Sequence, residues 1–558
     1  MGGEALQTPT DPIRVHPFEK ELAKAFEDRS RMGLGRVVGH HIKFDAHFSA
    51  NAGIMLGRNL ACTQNQAAML DEYVGAYGLE ATSEREGVPA KKGQMMYDHL
   101  ASLFGGPPSK KQMEHFWRTA GNDPVAQEYA AGDGDTTMHL HKVQMKKIED
   151  EEMLRVWEVE SDLIWVLFRM ERAGIKVDLG RADRLRAATE EKITKLLESF
   201  PRGFNTRSPL QVKQAMTDAG HTNWPFTAKG APSFTEKFLR ENALGRKIIE
   251  IRQNSNLINS FIKPLATVHT HKGRVHSTLN QMKSDHLGTG TGRLSCSDPN
   301  LQQVTKRNKD MAIPFRRLFV ADDGWVFFER DWSQAEPRLF AHYAQAKALM
   351  EGYNSSPFRD MHTVTAELLG VERDPTAKRM GMGILTGMQS RSLSGHMGCS
   401  IEQANQYIHM FFTAYPEIRD FQSRAQQTLR SRGYIRTLLG RRSRLEHPRF
   451  AYRGTSKIIQ GGQADLMKYK LVEMDRLCED NGDIIQLLMS IHDSIEGQYE
   501  DTPEGVRLYE EITRIFEDVQ SPPFNLTVPF VSDHHEGADW AEATFGVEKV
   551  REFMGATQ

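Results

Sequence analysis

Apolar residues recur at helical spacing between Glu149 and Ala173, where Leu154, Val156, Trp157, Leu163, Val166, Leu167 and Met170 share turns and Gly174 follows as a C-cap. A long helix is expected there. Arg181 to Phe200 predicts a second helix, and Asn205-Thr206-Arg207-Ser208-Pro209 a turn that caps a third, so residues 150–265 read as mostly helical. Strand character appears at Trp325-Val326-Phe327-Phe328, which runs into Glu329-Arg330-Asp331, and again at Ile484–Ile491. The second run ends in His492-Asp493-Ser494, after which Ile495, Gly497 and Tyr499 predict a return strand, a hairpin with an aspartate at its tip. Between the two runs lie helical stretches at Met361–Leu369, Lys378–Gln389 and Ile401–Arg432. Gly105-Gly106-Pro107-Pro108 and Gly132-Asp133-Gly134-Asp135 read as breaks, and no internal repeat or low-complexity tract is present. The pattern predicts an α+β fold, a small sheet with a large helical insertion between its acidic strands.

The length of 558 residues exceeds one ordinary core; domains of about 100–200 residues predict roughly three to five modules. Hydrophobic residues at 39% and charged residues at 26% describe a soluble chain, and no apolar run approaches the roughly 18–20 residues of a membrane span. The opening MGGEALQTPTDPIRVHP has no basic segment leading into an apolar one, so it does not read as a signal peptide. Cys62, Cys296, Cys399 and Cys478 form no CxxC pair, which speaks against a zinc site or disulfide framework and for reduced thiols in a cytoplasmic setting. A net charge of −2 gives no average attraction to nucleic acid. The stretch RSRGYIRTLLGRRSR nevertheless gathers Arg430, Arg432, Arg436, Arg441, Arg442 and Arg444 around Tyr434, either as a solvated helix face or as a contact for phosphates.

Asp331 ends one strand-like run and Asp493 sits at the turn of another. Pairing of those strands would bring two carboxylates to common divalent cations, and hard oxygen ligands suit Mg2+. Taken singly, Asp331 reads equally as a helix N-cap and Asp493 as a turn residue.

These motifs resemble those of family A DNA polymerases, the group of bacterial DNA polymerase I and many phage replicases. Asp331-Trp332-Ser333-Gln334-Ala335-Glu336-Pro337-Arg338 is similar to the family's first palm motif and His492-Asp493 to its second, with Ser494 where glutamate is usual. Thr291-Gly292-Arg293-Leu294-Ser295-Cys296-Ser297-Asp298-Pro299-Asn300-Leu301-Gln302 resembles the TGRLSS-DPNLQ segment. Further likeness runs through Lys263-Pro264-Leu265, Gly273-Arg274-Val275-His276, Tyr415-Pro416, Gly433–Arg442, Gln460-Gly461 with Ala464-Asp465, and Gly537-Ala538-Asp539-Trp540. The resemblance implies a right-hand fold: a thumb at 151–280, a palm at 281–345 and 430–558, and fingers at 346–429. It implies two Mg2+ ions on Asp331 and Asp493, with Mn2+ as a substitute, and Glu336 walling off the sugar 2′ position. Contacts to primer–template DNA would come from Arg293, Gln302, Gln460 and His492, and, to phosphates, from Arg436, Arg441 and Arg442.

The fingers helix departs from the family pattern R-x-x-x-K-x-x-x-F-G-x-x-Y-G. Lys378, Gly383 and Gly387 are kept, but Met382 stands at the aromatic position and Thr386 at the tyrosine position; Arg373 falls one residue early, with Asp374 in its register. Asp374-Pro375 reads as N-cap plus N1, so Arg373 would reach the deoxynucleoside triphosphate from the preceding loop. Lys378 is the catalytic cation, and Asp360-Met361-His362 resembles the family's DIH stretch, which places His362 on the nucleotide phosphates.

Residues 1–150 resemble the family's proofreading 3′–5′ exonuclease domain, an RNase H-like fold. Val38-Gly39-His40-His41-Ile42-Lys43-Phe44-Asp45 looks like its second motif, with His41 in place of asparagine, and Tyr129–Asp133 like its third. The resemblance implies Asp45 and Asp133 as metal ligands and Tyr129 as the residue orienting water. The opening D-x-E motif would fall upstream of Met1, so a degenerate scaffold, a separate polypeptide completing the domain, and a misplaced start all remain open. The reading is a DNA-templated DNA polymerase in phage genome replication, soluble in the host cytoplasm and without a membrane partner; a non-catalytic primer–template binding protein and an exonuclease-dominant enzyme are its rivals.

Overall fold

A computed structural model describes residues 24, 35–89, 93–227, 229–284, 287–304, 306, 308–385 and 387–556. Near the N-terminus β1 (Val37–Gly39) and β2 (Leu60–Cys62) pair in parallel, joined by α1 (Ile42–Asn51). The glycines of Gly132–Asp135 do not break the chain, as the sequence suggested; α2 (Pro124–Asp150) runs through them. Asp123 caps its start by accepting from Val125 and Ala126 N–H, and buried Tyr129, Thr136, Leu140 and Ile148 hold the middle against neighbours, which outweighs the modest cost of helical glycine. The break comes at Glu152, at φ 54, before α3 (Leu154–Ala173), which is the expected long helix beginning a few residues later and ending at Gly174. Next come α4 (Leu179–Leu197), a short helix Pro209–Asp218 capped by Ser208 as the turn predicted, and α5 (Ala243–Asn256). Phe200, Val212, Met216, Leu239 and Ile248 make a small core of their own in this region.

The principal sheet has four antiparallel strands. Its members are β3 (Trp325–Trp332), β4 (Ile485–Ile491), β5 (Ser494–Glu500) and β6 (Ser532–Gly537), in the order β4-β5-β3-β6. Period-two alternation divides β3 between two faces. Phe328, Arg330 and Trp332 point to α12, given below, while Phe327, Glu329 and Asp331 share the other face. Gly497 lies opposite Phe328, where a Cβ would come within 2.4 Å of the Phe328 ring and 2.5 Å of the Gln486 carbonyl oxygen, so only glycine lets β4, β5 and β3 close up.

Between β3 and β4 the chain is helical, as expected. The helices include α6 (Ala335–Ala344), α7 (Met361–Leu369), α8 (Lys378–Leu385), α9 (Ile401–Ala414), α10 (Pro416–Arg432) and α11 (Gly454–Asp480), with shorter ones at Lys347–Asn354 and Ser390–Met397, and are interrupted by a hairpin of Tyr434–Arg436 and Arg442–Arg444. Pro416 at N1 splits the stretch predicted as one helix into α9 and α10. Buried along most of its length, α11 packs against α3, α6, α10 and α12 (Pro503–Glu517). On the sheet's back face Tyr509 and Phe516 of α12 meet Phe328 at 4.9 Å and Trp332 at 4.4 Å, and Arg330 lies over the Tyr509 ring. One continuous core joins α3 to α13 (Trp540–Phe545). Among the described residues no helix is long and apolar enough to cross a membrane.

Candidate active site

Register brings the two aspartates together. Asp331 stands directly opposite Ser494 on β5 and Asp533 on β6, and the N–H of Trp332 donates to the carbonyl of Asp493 at 3.0 Å. Asp493 occupies the two-residue turn between β4 and β5, with His492 before it at φ 59, the left-handed geometry that closes tight hairpins. Gln302 reaches the same strand end, its Nε2 donating to the Ser490 carbonyl at 2.9 Å. Burial and the charge of Asp331 push the Asp493 carboxyl up to about 7, and burial raises Asp331 as well. Two buried hard-oxygen carboxylates, one raised by the charge of the other, have donor chemistry that fits a divalent cation.

Alternation also places Glu329 on the face of Asp331, with Glu496 directly across from it. Both glutamates are buried. Lys306 bridges Glu329 at 2.6 Å and Asp331 at 2.7 Å. The sequence reading missed these three residues; spacing two from Asp331 and three from Asp493 could have flagged the glutamates, but nothing local marks Lys306.

Glu336, in the first turn of α6, accepts from Arg293 Nη2 at 2.7 Å, and the same guanidinium donates to Gln463 of α11 at 2.5 Å. Gln460, one turn earlier, is half-buried beside Gly461, whose Cα lies close to Thr437. His492 is exposed, and the charges of Arg293, Asp331 and Lys306 act on it. Asp331, Asp493, Arg293, Glu336, Gln302 and His492 thus gather at one end of the sheet, with Gln460 one turn along α11 from the Gln463 that Arg293 meets.

A second group lies in the helical insertion. His362, 5% exposed in the first turn of α7, is held below its ordinary pKa by burial, and its Nδ1 has no hydrogen-bond partner among the described residues. Lys378 opens α8 exposed and Met382 is half-buried against the core, while Thr386 lies outside the described residues. Asp374 is extended (φ −120, ψ 129), as an N-cap requires. Arg373 pairs with Asp374 and with Asp360, the residue that caps α7, so it is anchored in the loop before α8.

Of the arginines expected at phosphates, Arg441 is not available. Its guanidinium is buried between Glu160 of α3 and Asp465 of α11, an ion-paired site no phosphate can enter. Arg436 pairs with Glu152, and Arg442 lies over the Tyr434 ring 4.3 Å away. In the N-terminal part, Asp45 is on the exposed side of α1 and His41 stacks on Phe44. Tyr129 packs in α2 against Phe116, four residues before Asp133. Among the described residues no three His, Cys, Asp or Glu side chains form a metal-holding group.

Comparison with known proteins places this geometry. The family model described as DNA polymerase family A matches residues 180–542. The DNA polymerase DpoZ of Acinetobacter phage SH-Ab 15497 is 31% identical, covering 97% of this chain and 94% of the phage protein. The thermostable DNA polymerase I of Thermus thermophilus is 29% identical over 84% of this chain and 57% of its own. In fold the chain is similar to the POL domain of Pol1 from M. smegmatis, solved with DNA primer-template and dNTP, at a TM-score of 0.78 and 20% identity, covering 95% of this chain and 90% of that one. The chain belongs to DNA polymerase family A. With the family come the right-hand polymerase fold and DNA-directed DNA polymerase activity, as its motifs implied.

Proposed function

We propose that the chain extends a primer 3′ end on a DNA template, in phage genome replication, through Asp331 and Asp493 as the ligands of two Mg2+ ions. The side-by-side placement of these aspartates by strand register carries the reading. When bound, the ions, for which Mn2+ can substitute, supply Lewis acidity to the attacking 3′-oxygen and the leaving pyrophosphate. The protein's own groups do the rest. Arg293 and Gln460 hold the primer terminus from the minor-groove side, with Gln302 and His492 at the strand ends, and Arg436 and Arg442 lie along the DNA backbone. Glu336, fixed by Arg293, closes the space a ribose 2′-hydroxyl would need. Lys378, His362 and Arg373 receive the triphosphate; His362, kept neutral by burial, has one ring nitrogen to donate.

In this reading the thumb spans residues 151–280, of which the part around Phe200–Ile251 has a small core of its own while α3 packs in the main core, the palm 281–345 and 430–558, and the fingers 346–429. The exonuclease-like module occupies the N-terminal 150 residues, with Asp45, Asp133, Tyr129 and His41 its remnant site. A separate polypeptide completing it would add a strand beside β1, which pairs with β2 alone among the described residues. Primer extension with Mg2+ and four deoxynucleotides tests the polymerase site: the parent extends, and Asp493→Ala binds primer–template but does not. Extension retained by Asp493→Ala would overturn the assignment.

A further inference from the structure

Lys306 sits where the polymerase site needs its metal ligands free. Its Nζ lies 2.7 Å from Oδ2 of Asp331 and 2.6 Å from Oε1 of Glu329, with the stem about one-third exposed. Glu329 is held rigidly. Its other oxygen accepts from Arg316 at 3.2 Å, from the Trp540 indole at 3.1 Å and from Thr544 at 2.6 Å, so Oε1 alone faces Lys306. Arg316 is 1% exposed and stacks over the Trp540 ring, which leaves this carboxylate no room to follow a moving partner. Directly across the sheet, fully buried Glu496 takes a hydrogen bond from Ser494 on one oxygen, and its Oε2 has no partner among the described residues. Glu329 is therefore a fixed carboxylate behind Asp331 that stays within reach of the Lys306 ammonium.

We propose that Lys306 is a positioning residue that sets the metal affinity of the polymerase site, a tethered cation that holds Asp331 until a divalent ion displaces it onto Glu329. The inference rests on Asp331 and Asp493 being the metal ligands. Two bonds explain how the lysine can yield: an arriving ion takes Asp331, and the ammonium keeps its second bond on the immobile Glu329 without leaving the site. The ion must then be bound against a nearby positive charge. A unit charge about 5 Å from a divalent ion costs it about tenfold in affinity even at water-like screening. The sign separates this role from a merely structural one, since loss of a structural residue would weaken metal binding.

Mn2+ titration followed by electron paramagnetic resonance tests it, on the full chain with dideoxy-terminated primer–template and the matching deoxynucleotide. Asp331→Ala supplies the background of ions held by DNA. Lys306→Met is expected to bind Mn2+ about tenfold more tightly than the parent and to reach half-maximal extension at correspondingly lower Mg2+, with affinity for DNA unchanged within about twofold. Lys306→Arg, which keeps the cation, should stay near the parent. Unchanged or weaker Mn2+ binding in Lys306→Met overturns the inference alone. A parent that binds no more Mn2+ than Asp331→Ala overturns the metal-site reading and the inference with it.

Discussion

Replacing Glu160 by Gln should destabilise the protein by about 3–5 kcal/mol at pH 7, the cost of leaving a buried cation without its partner. Glu160 is 1% exposed and accepts from Arg441, from Lys468 at 2.7 Å and from Gln281 at 2.5 Å. Arg441 also donates to Asp465 at 3.0 Å, so two carboxylates balance two cations inside a site closed to water. Glutamine keeps the shape and removes one charge, leaving Arg441 and Lys468 to share Asp465. Lys468 gives way first: burial already pushes it from the usual 10.5 down to about 8, and Glu160 is the strongest force opposing that fall. In the parent, stability from Lys468 therefore rises as pH climbs from about 8 toward 10.5, because the unfolded chain holds the proton that the folded one has released. In the variant the folded pKa is lower still and the rise begins at lower pH. The penalty should be largest near pH 6 and shrink by pH 9. Equilibrium urea unfolding at those two values, followed by tryptophan fluorescence from α3, measures it. A loss below about 1 kcal/mol, or a penalty that grows with pH, would show that the Glu160 charge does not hold Arg441 and Lys468 in the core. Activity should fall in parallel, because Arg441 lies under Gly292, where an added Cβ would meet its Nε at 3.2 Å, and so supports the loop carrying Arg293.

Other sites yield simpler expectations. Glu336→Ala should cut the preference for deoxynucleotides over ribonucleotides by about tenfold or more, read as the ratio of kcat/KM values, since it opens the 2′ space and frees Arg293 from its 2.7 Å partner. Lys378→Ala should raise KM for the incoming nucleotide about 10–100-fold, the worth of one hydrogen bond to a charged phosphate, with primer–template Kd unchanged. Trp540→Phe removes the indole donor to Glu329 and should cost about 1.5–3 kcal/mol in thermal or urea unfolding, an outcome that a neutral result would exclude. Gly497→Ala drives a methyl into the Gln486 carbonyl at 2.5 Å and should yield a protein that is either insoluble or at least about 3 kcal/mol less stable; normal stability would show that the strands can part without cost.

The apolar and polar order of the chain determined the helices, the two acidic strands and the hairpin that presents Asp493, because those features depend on alternation and turn chemistry within a few residues. Family motifs carried the class and the activity from short, ordered stretches such as Asp331–Arg338 and Thr291–Gln302. Only tertiary structure decided the fate of charges. Arg441 sits among arginines that look alike in sequence, yet it alone is buried between Glu160 and Asp465, partners 281 and 24 residues away. The glycines at 132 and 134 look like a break, yet packing of Tyr129 and Thr136 carries α2 through them. Lys306 carries no local mark and matters because the fold brings it to Asp331 and Glu329 across a gap of about two dozen residues. Local pattern is set by neighbours along the chain, whereas pairing of buried charges is set by whichever distant groups the core leaves together, and a single sequence does not contain that list.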